Sequence, residues 1–428
     1  MRKLITTSLL ILLLAAGCSV NTGVISDAAI PTSDQDGNNR TESTLQPGSS
    51  PTAFAGNREP ISLTIWVPDD FAIKSNEQVQ NLLVDRLKTF EQANSGISID
   101  IRFKNVKNQE NMMELLNTTS RVAPSILPDI VLLNRNDMET AALKGLLIPI
   151  DDAAAVNNLP QIFSGFEALG KVQGSIFGVP AAGDVLLILS KDGGEGSVSS
   201  WEEILDSDSL LGANLNDPNG TFFLALYQSA GGKLTDEKGK PYLDQDALTK
   251  LLVFVRDAKT GGTFTSWSLL VSDWMEVSKR FESGEGDLEV NWFSHSNRTV
   301  NDKVNYYAIP GLAENKASML TGWYWASVNP APESQAATNE LLSFLSQPVF
   351  ASTWSSTAGY LPVSNQMWPV TDYDMTTLQE IMNTAQPLPE TSILITVGPV
   401  IRDSAMRAFS TKDDIEEIVI SALARINQ

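Results

Sequence analysis

Ile61-Ser62-Leu63-Thr64-Ile65-Trp66-Val67 opens the stretch whose reading decides the fold, and Asp129-Ile130-Val131-Leu132-Leu133 closes it. In the first segment Leu63, Ile65 and Val67 alternate with Ser62, Thr64 and Trp66, which is the period of a β-strand. Val79, Leu83, Leu87 and Phe90 then fall on one stripe of a helix that Asn94-Ser95-Gly96 stops. Ile97, Ile99, Ile101 and Phe103 alternate with Ser98, Asp100 and Arg102 as a second strand. A helical stretch from about Gln109 to Ser120 leads to the unbroken apolar run ending at Leu133, which suits a parallel strand covered on both faces. A short helix ends at Lys144-Gly145, where glycine takes the left-handed cap. Strand, helix, strand, helix, strand predicts an α/β fold with a doubly wound, mostly parallel sheet and right-handed crossovers.

The rest of the chain is too long for one such sheet. Gly178-Val179-Pro180 before Val185-Leu186-Leu187-Ile188-Leu189 reads as a turn into another buried strand. Ser200-Trp201-Glu202-Glu203 opens a helix, Ala247 to Ala258 forms a second, and Phe281-Glu282-Ser283-Gly284 ends a third before a strand from Leu288 to Phe293. Tyr306 to Pro310 and Leu320 to Val328 read as two more strands. Glu340 to Leu345 and Asp413 to Ile426 read as helices. No repeat of solenoid period is present.

Working back to the start, Arg2 and Lys3 precede an apolar run from Leu4 to Leu14 and the small residues Ala15-Ala16-Gly17. This is the layout of a signal peptide over 1–17, and the run is about half the ~20 residues a spanning helix needs. Leu13-Leu14-Ala15-Ala16-Gly17-Cys18 resembles a bacterial lipobox, which implies diacylglyceryl modification of Cys18, the only cysteine. Residues 18–59 are rich in Ser, Thr, Asn, Asp, Gly and Pro without apolar period, so they read as a flexible tether. Removal of 1–17 leaves 28 basic against 51 acidic residues, a formal charge of −23. That balance argues against nucleic acid or an anionic membrane surface as partner, leaving the lipid as the only membrane contact. Without a second cysteine, no disulfide supports the fold.

Several segments, in order, resemble the family-1 extracellular solute-binding proteins, the maltose-binding-like receptors of ATP-driven sugar importers. They are Pro128-Asp129-Ile130-Val131-Leu132 with Lys144 to Asp151; Phe177-Gly178-Val179-Pro180 with Asp184; Phe281 to Gly284 with Trp292; Gly322-Trp323-Tyr324-Trp325-Ala326; and Gly359-Tyr360-Leu361-Pro362-Val363. The segment from Val185 to Lys191 departs from the pattern by lacking its tyrosines. The resemblance implies a two-lobed periplasmic-binding-protein fold of type II character, with hinge strands joining the lobes. Lobe 1 is expected over 60–182 and 309–360. Lobe 2 is expected over 183–308 and 361–428, with the crossings near Pro180 to Asp184 and Ala308 to Gly311. It further implies a monomeric, lipid-anchored receptor on the outer face of the cytoplasmic membrane, which closes on a small carbohydrate and delivers it to the transmembrane subunits of an ABC permease. A non-sugar solute (peptide, polyamine or metal chelate) on the same fold is the alternative, with a secreted glycoside hydrolase and a structural surface lipoprotein as further ones.

A sugar site calls for aromatic rings against C–H faces and for carboxylates or amides against paired hydroxyls. Trp66, Asp69 and Asp70 follow the first strand and Asn134 the third, at carboxyl ends where ligands sit in such sheets. Trp323 and Trp325 share one face of a strand, where they either stack on a ligand or pack in a covered sheet; the resemblance puts Trp323 in the cleft and Trp325 where a core leucine often sits. Trp292 ends a second-lobe strand, the resemblance places Tyr360 at the cleft, and Asp184, at the start of the crossing into the second lobe, is a further polar candidate. Each Asp and Asn has a competing role as a helix cap or surface group. Trp201 and Trp354 read as packing residues, and His295, the only histidine, as a loop residue. Enzyme chemistry finds little support. Asp69 and Asp70 are adjacent rather than on separate elements, one histidine leaves little room for a Ser-His-Asp arrangement, and no Walker loop occurs. No cofactor or metal is expected.

Overall fold

The computed structural model describes residues 60–71, 77–105, 112–150, 161–191, 198–300, 303–328, 330–366, 368–369 and 374–427. The expected signal peptide, Cys18 and the 18–59 tether lie outside the described residues. From Ile61 onward the chain forms β1 (Ile61–Pro68), α1 (Glu77–Ala93), β2 (Ile97–Lys104), α2 (Met112–Val122), β3 (Ile130–Asn134) and α3 (Arg135–Leu143). A short helix α4 (Ser164–Leu169) and the hairpin of β4 (Lys171–Val172) and β5 (Ser175–Ile176) lead into the long β6 (Gly178–Lys191). Next come α5 (Trp201–Asp206), β7 (Leu211–Gly212), α6 (Thr221–Ser229), α7 (Gln245–Gly261), α8 (Trp274–Glu282), β8 (Leu288–Trp292), α9 (Phe293–Thr299) and β9 (Val304–Tyr307). The chain ends with β10 (Met319–Ser327), α10 (Gln335–Leu345), α11 (Pro348–Thr357), α12 (Met375–Thr384), β11 (Gln386–Pro387), α13 (Thr391–Ser410) and α14 (Ile415–Ile426).

The strands run in the order β2-β1-β3-β10-β6-β8-β7, with β9 added to β6 and β11 to β10. β1 is parallel to β2 and β3, and β7 to β8, as βαβ units require. β6 and β10 are antiparallel to each other and bind the two ends of the sheet together. Both faces of β1 and β3 are covered, which explains their composition. Leu63, Ile65, Val67, Ile130 and Leu132 pack with Val79, Leu83, Leu87 and Phe90 of α1. Trp66, Val131 and Leu133 point to the other face, among Met112, Leu116 and Met138.

One expectation fails. Gly178-Val179-Pro180 is no turn: β6 runs unbroken for 14 residues. Proline lacks a ladder donor and normally argues against a central strand. Here the register with β10 shifts between Trp323↔Ala182 and Tyr324↔Pro180, so Pro180 stands beside a bulge that excuses the missing N–H. Three residues on, Gly183 pairs with Gly322.

A Cβ at Gly322 would lie 2.5 Å from the Ala182 carbonyl oxygen, a backbone atom that cannot rotate away. Gly322→Ala is therefore expected to destabilise the protein by about 1–3 kcal/mol, the usual cost of overpacking. Denaturant melts of the two proteins read it; an unchanged midpoint would show that β6 and β10 can separate without penalty.

Candidate functional site

A cavity of roughly 330 Å³ opens at the middle of β6 and β10, where Asp184, Thr321, Gly322 and Trp323 line it. The β1–β3 end of the sheet contributes Asn134 and Asn136, at the start of α3, and Tyr360, which follows α11. The β7–β8 end contributes Asp217, Asn219 and Thr221 at the start of α6, Trp274 at the start of α8, Trp292 at the end of β8, and Ser294 and His295 on α9. Leu388 and Leu394 complete the lining on either side of the start of α13.

The aromatic groups form two assemblies. Trp274 and Trp292 meet edge to face, with centroids 6.4 Å apart. Trp323 is set edge-on to Tyr360 at 6.2 Å and to Phe71 at 5.1 Å, while Phe71 stacks on Tyr360 at 5.3 Å and on Trp354 at 4.7 Å. Trp323 is thus held rigidly by the β1–β3 core while remaining half-buried at the cavity.

The polar groups are held as firmly. Asp184 accepts from Val185 N at 3.0 Å, Ser294 N at 3.0 Å and Ser294 Oγ at 2.5 Å, so it fixes α9 to β6. Asp217 accepts from Asn219 N at 3.3 Å and Thr221 N at 2.8 Å. Gly220 between them has φ +60, and its Cβ position lies 2.7 Å from Gly398 O, so both conformation and close approach require glycine. Asn134 caps α3 by accepting from Asp137 N at 2.9 Å, and its Nδ2 donates to Asp137 Oδ2 at 3.1 Å. Burial pushes the Asp137 carboxyl up to about 6 despite that bond. No Lys or Arg is among the described lining residues.

Of the residues singled out from sequence, Asn134, Asp184, Trp292, Trp323 and Tyr360 come together at this cavity. Trp66 does not: it is buried, with the Lys104 ammonium 4.2 Å from its ring centroid. Trp325 shares the face of Trp323 but lies about 6.6 Å further along the strand, at ~3.3 Å per residue, and is buried stacked 5.6 Å from Trp354. Asp69 begins a 3-10 turn, Asp69–Phe71, and does not line the cavity; the Asp70 side chain lies outside the described residues. Trp201 is buried and donates from Nε1 to Pro310 O at 2.6 Å, and Trp354 donates to Val79 O at 3.1 Å. His295, expected in a loop, stands on α9. Trp274, Asp217 and Asn219 were not found from sequence. The Asp217-Pro218-Asn219-Gly220 turn ahead of an apolar helix was the available signal.

Behind the Trp274/Trp292 wall lies a buried polar network. The wholly buried Glu289 accepts from Ser278 Oγ at 2.7 Å and from Asn291 Nδ2 at 2.5 Å, and Asn291 Nδ2 also lies 2.8 Å from Trp274 O. The network ties β8 to α8, the elements that carry the two tryptophans. Burial pushes the Glu289 carboxyl up to about 7; bonds from Asn291, Ser278 and Ser296 pull it back, and the charge of Glu282 adds to the rise.

A family model described as bacterial extracellular solute-binding protein matches residues 85–377. No curated protein matches the chain by sequence. Among solved structures, maltose-bound MalE3 of T. maritima is similar at 19% identity, covering 86% of this chain and 99% of its own, with a TM-score of 0.65. The cyclic alpha-maltosyl-1,6-maltose binding protein of Arthrobacter globiformis is similar at 15% identity, 86% and 98% coverage and a TM-score of 0.69. A solute-binding protein of an ABC transporter from Thermotoga lettingae TMO, bound with alpha-D-tagatose, is similar at 17% identity, 86% and 99% coverage and a TM-score of 0.60. At these identities the likeness shows the fold: two α/β lobes of the periplasmic-binding type.

The Glu289 carboxyl holds its proton in the folded state up to about pH 7, whereas the ordinary value is 4.5. The folded protein thus binds the extra proton between those values, and stability falls as pH rises through that window, by roughly 3 kcal/mol. Glu289→Gln mimics the protonated acid. It is expected to melt like the parent near pH 4.5 and above it at pH 8, with a shallower pH slope in thermal melts between them. Equal slopes would show that Glu289 is ionised in the folded protein throughout.

Proposed function

The chain belongs to the bacterial extracellular solute-binding proteins, and from that premise we propose that its cavity captures a small neutral carbohydrate for an ABC importer. The observation that carries this reading is the pairing of two rigid aromatic assemblies, Trp274/Trp292 and Trp323/Tyr360, with amide, hydroxyl and carboxylate groups and no lysine or arginine among the described lining residues. Aromatic faces suit the C–H faces of a sugar, and the polar groups suit its hydroxyls. The volume, near the lower end for ligand pockets, suits a mono- or disaccharide. Similar structures hold maltose and alpha-D-tagatose, which supports the sugar reading by analogy.

We place the lobes as expected from sequence but move the second crossing from Ala308–Gly311 to Thr321–Gly322. Trp201 Nε1 bonds Pro310 O, and Leu312 N bonds Ser229 Oγ, so residues up to about 318 keep company with the second lobe. Closure of the lobes supplies contacts from both walls at once, as a population shift requires. The lipid on Cys18, the tether, the monomeric state and the permease partner belong to the same proposal. So does the absence of chemistry on the bound sugar: no product should form when labelled oligosaccharides are incubated with the protein.

Two measurements test the site. Maltose and alpha-D-tagatose, titrated by tryptophan fluorescence or calorimetry, are expected to include a binder. The corresponding uronates and sugar phosphates are expected not to bind, because no lysine or arginine among the described lining residues would meet their charge. Trp323→Ala should weaken binding by about tenfold or more, which corresponds to about 1.4 kcal/mol, with little change in melting temperature. Trp325→Ala should do the reverse, costing about 3–5 kcal/mol of stability and leaving affinity intact. Tight binding of a peptide or polyamine in place of every sugar would replace this reading with the non-sugar alternative.

A further inference from the structure

Glu139 lies outside the ligand cavity, yet its carboxylate joins two helices that bound it. Oε2 accepts from Arg135 Nη1 at 2.6 Å, from Thr391 N at 2.9 Å and from Thr391 Oγ1 at 2.8 Å. Arg135 and Glu139 are both buried, 4% and 2% exposed, and belong to α3 one helical turn apart. Thr391 is the first residue of α13, 252 positions away in the chain. α3 stands on β3 and β10, whereas α13 packs on α6, α7 and α14. The cavity residues Asn134 and Asn136 flank Arg135, and Leu388 and Leu394 lie on either side of Thr391.

We propose that Glu139 is a positioning residue for ligand capture: anchored by Arg135, it closes onto the first turn of α13 and latches the two walls of the cavity together. The inference rests on the reading of the cavity as a cleft that closes on its ligand. The first N–H groups of a helix have no partner within it, and a carboxylate there is also favoured by the helix dipole. Glu390, the residue before α13, makes no side-chain cap, so α13 takes its cap from α3. Each half is also tolerable alone. With the walls apart, the Arg135–Glu139 pair stays within reach on one helix, and water can meet the Thr391 amide and hydroxyl. A contact of this kind can form and break with closure, because neither side is left with an uncompensated buried charge. It contributes to affinity without touching ligand, since only the closed state contains it.

The test uses Thr391→Pro. Proline is well accepted at the first helical position, and Glu390 already has the extended backbone that must precede it (φ −53, ψ 144). The substitution removes both donors to Glu139, while Thr391→Ser keeps both. With maltose as the probe, Thr391→Pro is expected to raise Kd by about tenfold or more, the worth of charge-assisted hydrogen bonds. The melting temperature of the empty protein should hold, and Thr391→Ser should bind like the parent. An unchanged Kd overturns the latch, whatever happens to the melting temperature, and so does a rise that Thr391→Ser shares. Should the parent not bind maltose, the sugar reading fails for that ligand while the latch remains decidable. Spin labels on Lys88→Cys and Lys250→Cys, in a Cys18→Ser background, report the separation of α1 from α7 in the empty protein. The latch expects Thr391→Pro to deplete the short-distance population; identical distributions overturn it.

Discussion

The antiparallel pairing of β6 with β10 at Gly183 and Gly322 is the contact on which the rest of the structure depends. These two strands form the central pair of the sheet. On one side they pair with β3, and on the other with β8 and β9. At this pair neither strand carries a side chain, so the backbones approach closely; the Phe166 ring fills the space beside Gly183, while Gly322 borders the cavity. The residues next to the glycine pair, Asp184, Thr321 and Trp323, therefore become cavity residues by position. The hinge proposed above falls at these residues, where backbone torsion at a few positions would move a whole lobe.

The sheet itself was legible in the sequence because both local periods were clean. β1, α1, β2 and β3 lie where the alternation and the helical stripe put them, and the four stripe residues of α1 are the four it buries. Pro180 misled because a proline in an apolar run ordinarily marks a break, and a bulge that accommodates it leaves no trace in residue type. The aromatic residues were harder to place. Period two says which face Trp323 and Trp325 share, and they do pack into one aromatic cluster. What separates them is distance along the strand from the crossing, a tertiary quantity. Trp66 failed for a related reason. It alternates correctly, but the face it occupies is covered by α2 and α3, so alternation marked a second core and not an edge.

The polar side of the cavity was legible only in part, because its residues act first as helix caps. Asn134 was recognisable as both, since it ends β3 and caps α3. Trp274 follows Asp273, which caps α8 in the ordinary way by accepting from Met275 N at 2.9 Å. In neither case does residue type reveal that the helix start faces the cavity.

Three helices that start at the cavity lack a cap from their own preceding residue: α6 after Gly220, α9 after Trp292 and α13 after Glu390. In each, a carboxylate from elsewhere takes the role, at increasing separation in the chain. Asp217 serves Thr221 N from four residues away, Asp184 serves Ser294 N from 110 away, and Glu139 serves Thr391 N from 252 away. This accounts for a cavity with two lining carboxylates and no arginine or lysine among its described lining residues to balance them. The helix N-termini supply the compensating positive potential, so the carboxylates need no cation. It also orders the three contacts by what they can do. The first fixes a turn and the second fixes a helix to the crossing strand. Only the third joins α3 to a helix of the other wall, and there the same chemistry that elsewhere holds a helix start in place becomes sensitive to whether the walls are closed.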